Sequence, residues 1–317
     1  MPRLAVTLGD PRGIGPEVVE RAVTAAATGV REVFDLIVLG HDQGVDTFRS
    51  KGHEVRGLGR FDGSTESAGR ISLDAIRTGV RAILDGEADA LVTGPVHKPA
   101  LRTAGFEGAG QTELLQELTG APAVGMLMHA ASTRIGDEPL RILLATTHLP
   151  LREVPDRVTG PLLESQIRLL DRELRSGWAI ERPRIGLCGL NPHASDRGLF
   201  GDEEARIMAP ALERLRDEGI AAEGPFPADT IFLAALDGRL DAVVAPYHDV
   251  GMAVFKTLGF GRGVNTTLGL PFPRTSPDHG TAFDLVGTGR ARFESTLEAL
   301  RLAEQLARRR LDTGQSG

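Results

Sequence analysis

Short apolar runs recur along the chain, at Leu4 to Leu8, Phe34 to Leu39, Ala90 to Thr93, Ile142 to Ala145, Ile185 to Leu187 and Ala242 to Ala245, each after a charged or turn segment. Runs of this length bounded by turn residues predict buried strands. Between them lie longer stretches with apolar residues at helical spacing: Glu17 to Ala27, Ser67 to Leu84, Val158 to Leu174, Glu203 to Arg216 and Phe293 to Arg310. Strands alternating with helices imply right-handed crossovers and a mostly parallel sheet covered on both faces, an α/β fold. The 317 residues suffice for two ordinary domains or one large one. No repeat, low-complexity tract or long linker interrupts the pattern. A two-domain division therefore rests on length and topology, with seams expected near residues 121–128 and 262–271, where Gly and Pro gather.

Composition narrows the functional classes. Hydrophobic residues at 41% and charged residues at 25% are those of a globular protein, which excludes disordered and collagen-like chains. With 39 Gly and 19 Pro but one Trp and one Tyr, tight turns outnumber stacking platforms, which argues against single-strand nucleic-acid binding. Lys and Arg number 36 against 43 Asp and Glu; the net charge of -7 offers no global basic field, leaving only local capture of a small anion. The single Cys188 has no partner for an internal disulfide and reads as a small core residue in a reducing compartment. The first apolar stretch, before Gly9-Asp10-Pro11, is too short for a signal segment or a membrane span. A soluble, cytoplasmic protein with no membrane and no nucleic-acid partner is expected.

Candidate chemistry gathers where the strand-like runs end, because open parallel sheets bind ligands beyond their carboxyl ends. Three such ends deliver a histidine: Ala145-Thr-Thr-His148, Leu190-Asn-Pro-His193 and Pro246-Tyr-His248. Neutral imidazoles on separate elements suit a three-histidine divalent-metal site with an open position; a hydrogen-bonded or exposed imidazole is the competing reading for each one. The opening segment Gly9-Asp10-Pro11-Arg12-Gly13-Ile14-Gly15-Pro16-Glu17 is a Gly-rich turn between strand and helix that could offer N–H groups to an anion, or be a turn with no ligand. It lacks the dinucleotide fingerprint order. Between residues 256 and 289, Lys256, Arg262, Asn265, Arg274 and then Asp278-His279-Gly280-Thr281-Ala282-Phe283-Asp284 place charges beside Gly turns, a composition suited to phosphate capture or to a solvated loop.

The blocks TLGDPRGIGPE, VTGPVHKPAL, GAGQTELL, THLPL, GLNPHASDRGLFGDEE, GPFPADTIF, APYHDVGMAVFK and GFGRGVNTTLGLPFPRTSPDHGTAFDLVGTG, in this order, resemble the 4-hydroxythreonine-4-phosphate dehydrogenases of vitamin B6 synthesis. The resemblance spans the chain. It implies an isocitrate/isopropylmalate dehydrogenase-like fold of two α/β/α domains, 1–125 with 268–317 and 126–267, with the active site in the cleft between them. It also implies a homodimer and an NAD- and metal-dependent oxidative decarboxylation of 4-phosphooxy-threonine to an aminoketone phosphate. Carried over by motif, His148, His193 and His248 fall on the metal ligands, in a site shared between subunits. Zn is the first choice of metal, with Mg, Mn or Co as alternatives. Gln111, Thr112, Lys256, Asn265 and Arg274 fall on substrate positions, and His279, Gly280, Thr281 and Asp284 on the cofactor loop, for NAD or alternatively NADP. Asp229, Asp249 and Lys98 are candidates for the general base.

The chain departs from the family pattern at three places. Gln111 stands where the family has His, HDQG reads His248-Asp249-Val250-Gly251, and NPHAGE reads Asn191-Pro-His193-Ala-Ser195-Asp196. Gln can hydrogen-bond a substrate but cannot titrate near neutrality. These changes bear on substrate identity more than on reaction class, so a phosphorylated sugar acid such as 4-phospho-threonate or 4-phospho-erythronate is the second candidate substrate. A phosphotransacetylase-like transferase or a phosphate-binding protein is a third reading from a different class, since fold does not determine function.

Overall fold

A computed structural model of the chain describes residues 1–29, 33–108 and 110–314; Ala109, within the GAGQTELL block, lies outside them. The chain divides into two units, Met1–Pro122 with Leu270–Gly317, and Ala123–Gly269. The seams thus lie at 122/123 and 269/270, against 125/126 and 267/268 read from the sequence. Both stretches expected to be seams carry a strand as well.

The first unit opens with β1 (Arg3–Thr7), α1 (Gly15–Gly29), β2 (Asp35–Gly40), α2 (Asp42–Ser50), β3 (Glu54–Gly57), α3 (Thr65–Leu84), β4 (Ala90–Thr93), α4 (Lys98–Thr103) and α5 (Gln111–Thr119). The second unit follows with β5 (Gly125–Ala130), β6 (Leu140–Leu144), α6 (Val154–Arg157), α7 (Gly160–Trp178), β7 (Ile185–Cys188), α8 (Ala209–Asp217), β8 (Ala222–Phe226), α9 (Ile231–Leu236), β9 (Ala242–Ala245), α10 (His248–Gly259) and β10 (Val264–Leu268). The chain then returns to the first unit with β11 (Arg274–Pro277) and α11 (Glu294–Asp312).

In the first unit the strand order β3-β2-β1-β4-β11 is parallel throughout. The chain leaves β1 toward β2 and β3 and then crosses to β4, so the order reverses between β1 and β4. At such a switch point two strand-end loops diverge and leave a crevice. β4 and nearly all of β1 are fully buried, which is why they read as continuous apolar runs. Helix α3 starts where Ser64 accepts from the Ser67 N–H at 3.0 Å, a side-chain cap for an otherwise unpaired donor.

In the second unit the order is β10-β5-β6-β9-β7-β8; β6, β9, β7 and β8 are parallel, and β5 runs antiparallel to both β6 and β10. Alternate residues point to opposite faces. Leu127, Leu143, Ile185, Leu187 and Val244 pack beneath α7 and α8, while Met128, Ile142, Leu144, Val243 and Ala245 pack against α9 and α10. Each such burial is worth about 1.5–3 kcal/mol for a large side chain. Cys188 is buried in the second layer, and burial pushes its thiol up to about 12, so it behaves as a hydrophobe. Among the described residues no helix is long and apolar enough to cross a membrane.

Candidate active site

The sheet order of the second unit gathers the three strand-end histidines. β6, β9 and β7 are adjacent and parallel, so His148 after β6, His248 after β9 and His193 after β7 all leave by the same edge. The first two are neighbours. Thr146 donates its N–H (3.2 Å) and hydroxyl (2.8 Å) to the Pro246 carbonyl, tying the two loops together, and the His148 and His248 rings lie 5.5 Å apart between centroids at 42°. His248 is the first residue of α10. That helix lies close on β6 and β9 because residue 251 is Gly: a Cβ there would come within 2.6 Å of Leu144 Cδ2 and 3.0 Å of Ala245 Cβ.

Two of the three imidazoles face a carboxylate through Nδ1. His248 Nδ1 lies 2.7 Å from Asp249 Oδ1, and His193 Nδ1 lies 3.9 Å from Asp229 Oδ2. The carboxylate hydrogen-bonded at Nδ1 of His248 favours the tautomer that leaves its Nε2 to serve as a ligand, whereas Asp229 lies beside His193 at ion-pair and not hydrogen-bond distance. This donor set fits a divalent cation. Within one chain, however, the described residues form no cluster of three metal-ligating side chains.

His193 opens an unusual turn. His193, Ala194, Ser195, Asp196 and Arg197 all have positive φ, between 44° and 66°. A left-handed non-Gly residue costs about 1–2 kcal/mol, so five in succession need firm external support. The buried Glu204 supplies part of it. Its Oε1 accepts from the N–H groups of Leu190 (2.9 Å) and Asn191 (2.7 Å), and its Oε2 from Asn191 Nδ2 (2.9 Å). Burial alone would raise this carboxyl, but the donors of Asn191 and Leu190 hold it below its ordinary value. The sequence reading missed Glu204, although a signal was present. It occupies the same helical stripe as the buried Met208, Ala211, Leu212 and Leu215, a position where a carboxylate needs a partner.

The substrate residues read from the sequence fall in both units. In the first, Arg274 on β11 is buried and donates through Nη2 to Thr93 Oγ1 (2.5 Å) and Gln111 Oε1 (3.1 Å), and burial pushes its guanidinium down to about 10. Gln111, at the start of α5, donates its Nε2 to the Gly94 carbonyl at 3.2 Å. Both ends of its amide are therefore engaged. Thr112 follows, half-buried in the first turn of α5, and Lys98 at the start of α4 is exposed with its side chain alongside Gly110. In the second unit Lys256 is half-buried on α10. Asn265 lies on β10, and its buried Oδ1 has no hydrogen-bond partner among the described residues.

The loop 278–285 packs on the opening turn. Ile14 N–H donates to Thr281 O at 2.9 Å, and Phe283 meets the Arg12 guanidinium (5.3 Å) and the His97 ring (5.2 Å). His279 has its Nδ1 3.0 Å from the Gly280 carbonyl, and its buried Nε2 has no partner among the described residues. Gly280 and Asp284 are exposed. These contacts favour one of the two readings of the opening turn. The N–H groups of Asp10, Arg12, Gly13 and Ile14 bond to Pro95 O, Asp10 Oδ1, Asp10 O and Thr281 O, so the opening turn does not hold those four out to an anion. Its role here is to carry the 278–285 loop.

Comparison with known proteins bears on both units. The family described as Pyridoxal phosphate biosynthetic protein PdxA matches residues 18–303. The 4-hydroxythreonine-4-phosphate dehydrogenase of Thioalkalivibrio sulfidiphilus is 42% identical over 329 aligned positions, covering 97% of this chain and 97% of its own. That of Chromobacterium violaceum is 43% identical, covering 96% and 97%. Among solved structures, a 4-hydroxythreonine-4-phosphate dehydrogenase from Klebsiella pneumoniae matches with a TM-score of 0.83 at 36% identity, covering 97% of this chain and all of its own. An isocitrate dehydrogenase from Methylococcus capsulatus, at 19% identity and a TM-score of 0.52, shares the fold alone.

Proposed function

The chain belongs to the family described as Pyridoxal phosphate biosynthetic protein PdxA, and on that premise we propose that it oxidises 4-phosphooxy-L-threonine with NAD and decarboxylates it to 3-amino-2-oxopropyl phosphate. The observation that carries the chemistry is the edge of the second unit's sheet, where three adjacent parallel strands deliver His148, His248 and His193, two of them beside carboxylates. When bound, a divalent cation held by these imidazoles supplies Lewis acidity and the nicotinamide supplies a hydride acceptor, as oxidation of the C3 hydroxyl and release of CO2 require. Zinc is the first choice because three imidazoles with an open position are a common catalytic zinc set, with Mg, Mn or Co as alternatives. Since the described residues of one chain do not assemble three ligands, a second copy in a homodimer completes the set in this reading.

The chain's own groups have distinct parts in this reading. Asp229 and Asp249 face His193 and His248, and together with Lys98 they are the candidates to accept the hydroxyl proton. Arg274 holds the phosphate, and Gln111, locked between Arg274 and Gly94, braces the guanidinium. Asn265, whose buried oxygen has no partner among the described residues, and Lys256 are further substrate contacts, with Thr112 beside Gln111. His279, whose buried Nε2 has no partner among the described residues, lies with Gly280, Thr281 and Asp284 on the loop assigned to NAD.

The test is NADH formation by metal-replete protein with 4-phosphooxy-threonine, 4-phospho-threonate and 4-phospho-erythronate in parallel, with a chelator control. Turnover of the amino-acid phosphate that stops on chelation is expected. Turnover of a sugar-acid phosphate alone would keep the chemistry and overturn the substrate, with Gln111 and Val250 as the residues responsible.

A further inference from the structure

The left-handed turn that carries His193 is held from beneath by a carboxylate that has no part in the chemistry above. Glu204 begins a π-helical turn (Glu204–Met208) that runs directly into α8; Met208 at the end of the turn and Ala211, Leu212 and Leu215 of α8 are locked in the core. Its own side chain is 3% exposed, so it is a rigid post between that core and the loop after β7. Three donors converge on it: the N–H groups of Leu190 and Asn191 on one oxygen and the Asn191 amide on the other. The Asn191 amide also reaches Glu203 Oε2 at 2.7 Å.

The packing around this clamp leaves no slack. A Cβ at Gly201 would lie 2.6 Å from Asn191 Nδ2, and one at Gly189 would lie 3.2 Å from Ala194 Cα and 3.3 Å from Glu204 Oε1. Beyond the clamped pair, the turn closes on itself through Ala194 N–H to Asn191 O and through the Gly198 and Phe200 N–H groups to Ser195 O. His193 lies two residues past Asn191. Its Cα–Cβ direction is therefore determined by where Glu204 holds residues 190 and 191, and not by any contact of the imidazole with the core, since the ring is two-thirds exposed.

We propose that Glu204 is a positioning residue for His193: its buried carboxylate holds the left-handed turn and so aims the imidazole. This rests on the reading of His193 as a metal ligand. A carboxylate is required because all three donors need acceptors; Gln has the same shape but turns an NH2 group toward one of them. Groups that orient a metal-ligating histidine typically change metal affinity 10–100-fold when removed.

The experiment titrates Co2+ into metal-free full-length protein and reads affinity and the visible absorption band. Wild type, Glu204→Gln, Asn191→Ala, His193→Ala and His148→Ala are compared, together with amide hydrogen exchange over 189–198. Glu204→Gln is expected to bind Co2+ about 10–100-fold more weakly with a shifted band, to show reduced protection at the Leu190 and Asn191 amides, whose acceptor is no longer charged, and to keep its protection in β6, β9 and α7. Asn191→Ala, which leaves both backbone donors on the carboxylate, gives a smaller effect in the same direction and stands in if Glu204→Gln does not fold. Affinity within twofold of wild type in both variants, while His193→Ala loses binding, overturns the proposal. If His193→Ala and His148→Ala both bind Co2+ normally, the metal reading fails and the aiming role for His193 falls with it. Exchange then still judges the clamp: reduced protection at 190 and 191 retains it, and unchanged protection overturns that as well.

Discussion

Arg274 illustrates how a single residue's surroundings define its task. A buried guanidinium is stable only where acceptors meet it, and here the Thr93 hydroxyl and the Gln111 carbonyl do so. In Arg274→Ala the affinity for the phosphorylated substrate should fall by about 10–100-fold, the worth of a charge-assisted hydrogen bond, with NAD affinity nearly unchanged. Parallel calorimetric titrations check this, and equal losses for both ligands would remove Arg274 from the phosphate. Ser195 is the complementary case, a residue at odds with its backbone. It has φ 66° and stands where the family pattern has Gly. Ser195→Gly removes one left-handed penalty and should raise stability by about 1 kcal/mol, read as a higher denaturant midpoint at constant slope. A lower midpoint would mean that the buried Ser side chain contributes more than the strain removes.

At the level of elements, the apolar runs and helical periods marked β1, β2, β4, β6, β7 and β9 and the helices α1, α3, α7, α8 and α11. They did not mark β3, β5, β8, β10 or β11, nor α2, α4, α5, α6, α9 or α10. β5 and β10 lie in stretches that Gly and Pro made look like seams, and α10 holds two Gly and two Val within twelve residues, which weakens its helical signal. β5 also has a chemical signature of its own. His129, paired in register with Arg141 on β6 and packed against Trp178, is pushed down to about 3 by burial and by Arg141. The folded chain holds it neutral, while the unfolded chain protonates it near 6.5. Between those values the unfolded state binds more protons, so this contribution to stability is full above about 6.5 and is lost as pH falls, with a slope of up to about 1.4 kcal/mol per pH unit. Urea unfolding of wild type and His129→Leu across pH 4 to 7 should show a shallower acid limb in the variant. Parallel limbs would assign the acid sensitivity to carboxylates such as Glu204 instead.

At the level of the whole molecule, the proposal that the site draws ligands from two copies makes a prediction no monomeric site can. His193→Ala and His248→Ala, each inactive alone, should regain activity when mixed and allowed to exchange subunits. Random pairing makes half the dimers mixed, and each mixed dimer holds one intact and one doubly broken site, so about a quarter of the wild-type activity is expected. No recovery after demonstrated subunit exchange would place all the ligands on one chain. The same topology explains why the fold suits the chemistry. Three parallel strands side by side bring residues 148, 193 and 248 to one edge although they are widely separated along the chain.

The sequence by itself determined the α/β class, six of the buried strands, the longer helices and the histidines at strand ends, because periodicity and turn chemistry are local. The ordered blocks also carried the family. Tertiary structure decided which groups face one another: Arg274 with Gln111, 163 residues apart; Leu190 with Glu204, 14 apart; and Thr146 with Pro246, 100 apart. It likewise decided that the opening turn spends its N–H groups on its own neighbours. Hydrogen-bond partners and burial belong to pairs brought together by the sheet order, and no local pattern encodes that order.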